Sequence, residues 1–132
     1  MTNCPKRISP LRSAGVWTMV LGSVHIATTG MFYPASVRSI IKAGVVSSVD
    51  ADPALAERRG VGFWYFTSGL LLIGLGATVR ERERAHGRPP RSTAAILGLT
   101  GLWGITLSPA SGFWLFLPIA WLAHTARRRA SQ

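Results

Sequence analysis

Four uncharged apolar runs carry the pattern of this sequence, and every Asp, Glu, Lys and Arg lies outside them. The clearest is Val61 to Val79, VGFWYFTSGLLLIGLGATV. A helix needs about 20 mostly apolar residues to cover roughly 30 Å of hydrocarbon, and this run meets that requirement. It opens on the aromatic cluster Phe63, Trp64, Tyr65 and Phe66, and arginines stand at both flanks, Arg58 and Arg59 before it and Arg80 after it. Such a segment has an interfacial anchor and two charged stops, so a bilayer is its expected solvent.

The other runs are read against that one. Ala14 to Tyr33 follows a basic tail, Met1 to Ser13, which holds Lys6, Arg7 and Arg12. No small-x-small cleavage site follows it, so it reads as a retained first helix that ends before Pro34 rather than a cleaved leader. Ser92 to Ser108 and Gly112 to Ala126 are joined by a tight SPAS turn. At 1.5 Å per residue each barely spans the hydrocarbon, and a hairpin that dips in and returns is the alternative for this part.

Two connections separate the runs. In the first, Val37, Ile40, Ile41 and Val45 recur at helical spacing with Arg38 and Lys42 off that face, which predicts a short helix lying in the interface. Asp52 followed by Pro53 predicts the start of a helix that runs straight into the Val61 segment. In the second connection, RERERAHGRPPR has alternating charge and then Gly87, Pro89 and Pro90, the pattern of a solvated loop. The fold expected is an all-α membrane protein of four transmembrane helices in two consecutive hairpins, with a short interfacial helix between helices 1 and 2. Residues 1–13 and 127–132 are its basic cytoplasmic tails and 14–126 its transmembrane domain. GFWYF at Gly62 to Phe66 recurs as GFWLF at Gly112 to Phe116, a short internal repeat that would make the two hairpins parallel copies.

Composition changes this picture little. The net charge of +10 would point to nucleic acid in a water-soluble protein, but here the cations sit between apolar runs rather than among aromatics on one face. They read as topology signals and contacts to anionic lipids, with no nucleic-acid partner. Four crossings with both termini inside place eleven Lys and Arg inside and four outside. The positive-inside rule thus predicts both termini in the cytoplasm, and the membrane is expected to be the bacterial cytoplasmic one. Cys4 is the sole cysteine, so an internal disulfide and a cysteine-based metal site are excluded.

His25 is the most informative single residue, an ionisable group inside the first run. Gly15, Thr18, Gly22, His25 and Thr29 fall at spacings of three or four, a stripe of small and polar groups suited to facing other helices. The plain reading of His25 is a neutral imidazole hydrogen-bonded across the bundle; the sharper one is ligand binding or proton transfer. Glu57 shares a helical face with Val61, Trp64 and Ser68, and is either a partner for His25 or a carboxylate favoured at a helix N-terminus. Ser68, Ser108 and the tryptophans Trp64, Trp103 and Trp114 would join Thr29 in lining a pocket. Pro118 is expected to free the carbonyl of Trp114 and kink the fourth helix. His86 and His124 have no metal-ligand spacing, and no phosphate loop, nucleophile elbow or dinucleotide fingerprint is present, so neither metal nor cofactor is expected.

A histidine in the first run, Arg59, Phe63 and Trp64 at the second, and Pro109, Ser111, Gly112, Phe113 and Trp114 at the fourth resemble the family DUF6463 of small bacterial four-helix membrane proteins. The resemblance spans nearly the whole chain and implies a fold but no activity. The function expected is therefore a small polytopic membrane protein that binds a lipophilic molecule or a partner helix within its bundle. The alternative is an intramembrane isomerase or cyclase acting on a lipid-like or terpenoid substrate, with His25 as acid or base and Glu57 its partner. A small multidrug exporter is the least favoured reading, because no Asp or Glu lies inside any apolar run. The glycine seams also suit a homodimer.

Overall fold

In the computed structural model of the protein, residues 8–129 are described, and all the regular structure among them is helical. Cys4, Lys6 and Arg7, which fall in the expected basic tail, lie outside the described residues. Five α-helices follow in order: α1 Ala14–Phe32, α2 Pro34–Lys42, α3 Pro53–His86, α4 Thr93–Leu107 and α5 Phe116–Arg129. Short 3-10 turns, Pro10–Arg12 and Gly112–Leu115, precede α1 and α5. The chain divides into two compact units, Leu21–Ile73 and the remainder on either side of it, and α1 and α3 contribute residues to both.

Among the described residues, only α3 is both long and apolar enough to cross a membrane; α4 is apolar but shorter. The 19-residue α1 has the length, but Thr18, Ser23, His25, Thr28 and Thr29 dilute its apolar character. Helix α3 starts where Asp52-Pro53 predicts, with the Asp52 Oδ1 accepting the Ala54 N–H at 3.0 Å and proline at a position that needs no donor. The short helix expected after the first run is α2, separated from α1 by Tyr33 in a non-helical conformation and opened by Pro34. Val45 is not part of it and lies instead in a tight loop at φ 68°.

Three expectations are corrected. The charged RERERAH segment is not a solvated loop: α3 continues through it to His86 and stops only at Gly87, whose φ of 66° suits glycine. Nothing before Gly87 breaks a helix, and Arg80 and Glu83 pair one turn apart at 3.5 Å. The fourth run is not one helix either. Its GFWL forms a 3-10 turn, and Pro118 falls in the first turn of α5, where a missing N–H is tolerated, rather than at a mid-helix kink. Consequently the GFWYF and GFWLF repeats differ in structure, the first lying within α3 and the second forming the 3-10 turn ahead of α5.

Small residues set the helix contacts in each unit. In Leu21–Ile73, a Cβ on Gly22 would stand 2.6 Å from the carbonyl oxygen of Gly69, so α1 and α3 touch backbone to backbone there. In the other unit a Cβ on Gly76 would meet the Gly15 oxygen and the Met19 nitrogen at 2.6 Å. Also in that unit α4 packs on α5, with Leu97, Phe116, Ile119, Ala120 and Ala123 buried, and the ring of Phe113 lies over Gly104. The α4–α5 turn is the expected SPAS one, closed by the Ser111 N–H donating to the Ser108 oxygen at 3.1 Å.

Candidate functional site

In the Leu21–Ile73 unit, close approach at Gly22 and Gly69 brings the next turn of α1 against α3 and sets two side chains face to face. The imidazole of His25 stacks on the ring of Tyr65, centroids 4.5 Å apart and planes inclined by 16°. The imidazole is half-buried. On the other edge, the Tyr65 hydroxyl lies 3.3 Å from the Thr28 hydroxyl. Tyr33 and Phe32 close round the same ring, tilted at 5.0 Å and edge-on at 6.1 Å. Tyr65 is thus the centre of a cluster that offers one imidazole, two phenol rings and a threonine hydroxyl on a largely apolar ground. Such a surface can hold a flat or branched apolar molecule and hydrogen-bond one polar group on it.

The remaining expected residues of this unit divide. Thr29 is buried with its hydroxyl donating to the His25 carbonyl oxygen, and Ser68 donates to the Tyr65 carbonyl oxygen, so both hydroxyls are turned to their own helix. Trp64 is exposed and packs edge-on with Phe63 at 5.0 Å. Glu57 is exposed, eight residues before Tyr65 on the same helix and so about 12 Å from it along the axis. His25 and Glu57 are not brought together as an acid–base pair. In the other unit Trp103, Ser108 and Trp114 are all exposed, and the Trp114 indole N–H donates to the Pro109 carbonyl oxygen at 2.8 Å.

A model of the family of unknown function DUF6463 matches residues 9–130. The chain belongs to that family. No curated protein and no solved structure matches it. The DUF6463 resemblance rests on residues whose roles are now visible, and several are structural. Ser111 caps the 3-10 turn of Gly112–Leu115, Pro109 supplies the acceptor for Trp114, and Phe113 fills the space that Gly104 leaves. Of the Arg59, Phe63 and Trp64 group, Phe63 and Trp64 are exposed while Arg59 is buried.

Arg59, Tyr65 and Glu83 carry structure that residue spacing alone did not single out. Arg59 Nε–H donates to the Ser39 hydroxyl at 2.8 Å and Nη1–H to the Ser48 carbonyl oxygen at 2.6 Å, tying α2 and the loop after it to α3. Glu83 is fully buried, accepting from the Ser13 hydroxyl and from the Ala14 N–H at 3.0 Å, with Arg80 beside it. It satisfies a free N–H at the start of α1, where the helix dipole favours a carboxylate. The spacing of Arg80 and Glu83 was readable as a helical pair, but their burial against Ser13 joins positions seventy residues apart.

Proposed function

We propose that this chain is a small polytopic membrane protein that holds a lipophilic molecule against the His25–Tyr65 cluster. The membrane part of the reading is supported by the distribution of side chains. The interior takes Ser13, Thr18, Thr29, Ser36, Arg59, Glu83 and Thr93 alongside apolar residues such as Leu21, Val79 and Leu97, whereas Trp17, Phe66, Leu71, Leu99, Trp103 and Trp121 face outward. A water-soluble domain of this size does not present so many large apolar side chains on its surface. The most apolar stretch of α3 is only 17% buried, unlike the core helix of a soluble protein. In a bilayer, small and polar residues face neighbouring helices and large apolar ones face lipid.

On this reading α1, α3, α4 and the final 3-10 turn with α5 are the four spans, arranged as two consecutive hairpins, with α2 at the interface. With 34 residues α3 is about 51 Å long, so both of its charged ends project beyond roughly 30 Å of hydrocarbon. The 15 residues of α4 reach about 22 Å and rely on local thinning of the bilayer. The distribution of Lys and Arg supports both termini in the cytoplasm of a bacterial cell.

The observation that carries the binding reading is the imidazole stacked on Tyr65 beside the Thr28 hydroxyl. The enzymatic alternative with Glu57 as partner gains nothing from the geometry, because that carboxylate stands two turns along α3 from the stacked pair. The test is purification from native membrane in mild detergent and mass spectrometry of the small molecules that travel with wild type and with His25→Leu. A lipophilic metabolite present only with wild type supports the proposal. Identical lipids on both proteins would overturn it and leave His25 as a packing residue.

A further inference from the structure

The connection 34–60 contains four cations, Arg38, Lys42, Arg58 and Arg59, and all four line one cavity of about 550 Å³ between α2 and the first turns of α3. Ser39 and Leu55 lie in the same wall. The three acids of that connection, Asp50, Asp52 and Glu57, are not part of it. Among the described residues no ion pair joins any of the four cations to a carboxylate. Like charges gathered round one hollow repel each other, and an anion in that hollow relieves the repulsion.

Arg59 gives the cavity a fixed donor. It is 7% exposed, and its Nε and Nη1 are held by Ser39 and by the Ser48 carbonyl oxygen. Nη2 has no acceptor within the described chain, yet it is not sealed from solvent, since no buried side-chain nitrogen is left without a partner. The loop that presents the Ser48 carbonyl is itself strained, with Val45 at φ 68° and Ser47 at φ 55°. A β-branched residue in that region is an outlier that the surrounding contacts must hold in place. The guanidinium is therefore oriented before any ligand arrives, which lowers the cost of binding one.

We propose that this cavity binds a phosphoryl group, with Arg59 as its buried donor and Arg38, Lys42 and Arg58 as the cations round its rim. Guanidinium groups match phosphate oxygens in geometry, and several together suit a dianion. The volume lies within the roughly 300–1,000 Å³ of small-molecule sites, so it admits the phosphate and part of what bears it. An anionic lipid headgroup and a soluble phosphate ester share that chemistry. The site is separate from the His25–Tyr65 cluster, and its test does not depend on what that cluster binds.

The experiment uses the full chain in a neutral detergent with two soluble probes, glycerol 3-phosphate and dihexanoyl phosphatidic acid below its micelle concentration. Binding is followed by phosphorus NMR titration and counted by native mass spectrometry. One phosphoryl-bearing molecule per chain is expected. The triple variant Arg38→Gln, Lys42→Gln, Arg58→Gln should weaken it by at least about tenfold, as the loss of charge-assisted bonds requires. The charge-matched triple Arg82→Gln, Arg88→Gln, Arg91→Gln, at exposed positions outside the cavity, should change it less than about twofold. Much tighter binding of the phosphatidic acid identifies a headgroup as the source, and equal affinity identifies a free phosphate ester; both support the site. Failure of both probes to bind, or equal weakening by the two triples, overturns it. If the first triple does not fold, Lys42→Gln and Arg58→Gln singly are each expected to weaken binding about two- to threefold, and no change in either would be equally fatal.

Discussion

His25 and Tyr65 lie face to face, 4.5 Å between ring centroids and 16° from parallel, forty residues apart in sequence. The contact with Thr28 adds a hydroxyl pair at 3.3 Å on the far edge of the tyrosine. Removing the ring and removing its hydroxyl should therefore cost different amounts. Tyr65→Ala is expected to lose about 2 kcal/mol of stability, less than a fully buried aromatic because the ring is only half-buried, and Tyr65→Phe less than about 1 kcal/mol. Unfolding by SDS titration, read by tryptophan fluorescence, checks this; equal losses would show that the stack contributes nothing.

Gly76 and Gly74 stand two residues apart on α3 and differ in what surrounds them. A Cβ on Gly76 would collide with main-chain atoms of Gly15 and Met19, which cannot swing aside, while nothing lies within 4 Å of one on Gly74. Gly76→Ala should cost about 1–3 kcal/mol through overpacking. Gly74→Ala should be neutral or stabilising by up to about 1 kcal/mol, the helix propensity difference. The order of the two melting temperatures in detergent decides the matter.

Glu83 binds three groups at once, so its loss should exceed that of any one of them. Glu83→Ala leaves the Ser13 hydroxyl and the Ala14 N–H without an acceptor and Arg80 without its carboxylate, at an expected cost of about 3 kcal/mol. Ser13→Ala leaves Glu83 two partners and should cost about 1 kcal/mol. Thermal unfolding of the two single variants tests the ranking.

Val45 is held at φ 68°, a conformation that glycine adopts without strain. Val45→Gly is expected to raise stability by about 1 kcal/mol, the strain relieved less the extra freedom of the unfolded chain. A fall in melting temperature would mean that the valine side chain contributes more by contact than its backbone loses.

The proposed topology places Ser47 and Ala110 outside and Gly87 inside. With Cys4→Ser as background, single cysteines at 47 and 110 should react with an impermeant maleimide in intact cells, and one at 87 only after lysis. The opposite pattern would invert the orientation, and labelling at 87 and 110 from the same side would replace the last two spans by a re-entrant hairpin.

Local chemistry explains which elements were legible. The starts of α2 and α3 and the SPAS turn depend on proline, aspartate and serine acting within a few residues, and those signals survive in one dimension. The end of α3 was missed because alternating charge reads as a solvated segment, whereas in the chain Arg80 and Glu83 extend the helix and find partners near Ser13. His25 was legible as a candidate because an ionisable group in an apolar run stands out. Tyr65 was not, since among Phe63, Trp64 and Phe66 it is indistinguishable from a belt of interfacial aromatics.

What the sequence by itself determined is the helical character of the chain, the order of its apolar runs and the gathering of charge between them, because periodicity and capping are properties of neighbouring residues. Tertiary structure alone decided which aromatic meets His25, that Glu83 closes the start of α1, and that Arg38, Lys42, Arg58 and Arg59 share one cavity. Those contacts join positions from about twenty to seventy residues apart. The close approach of α1 and α3 at their glycines sets the rotation of each helix, and that rotation selects the side chains that face each other.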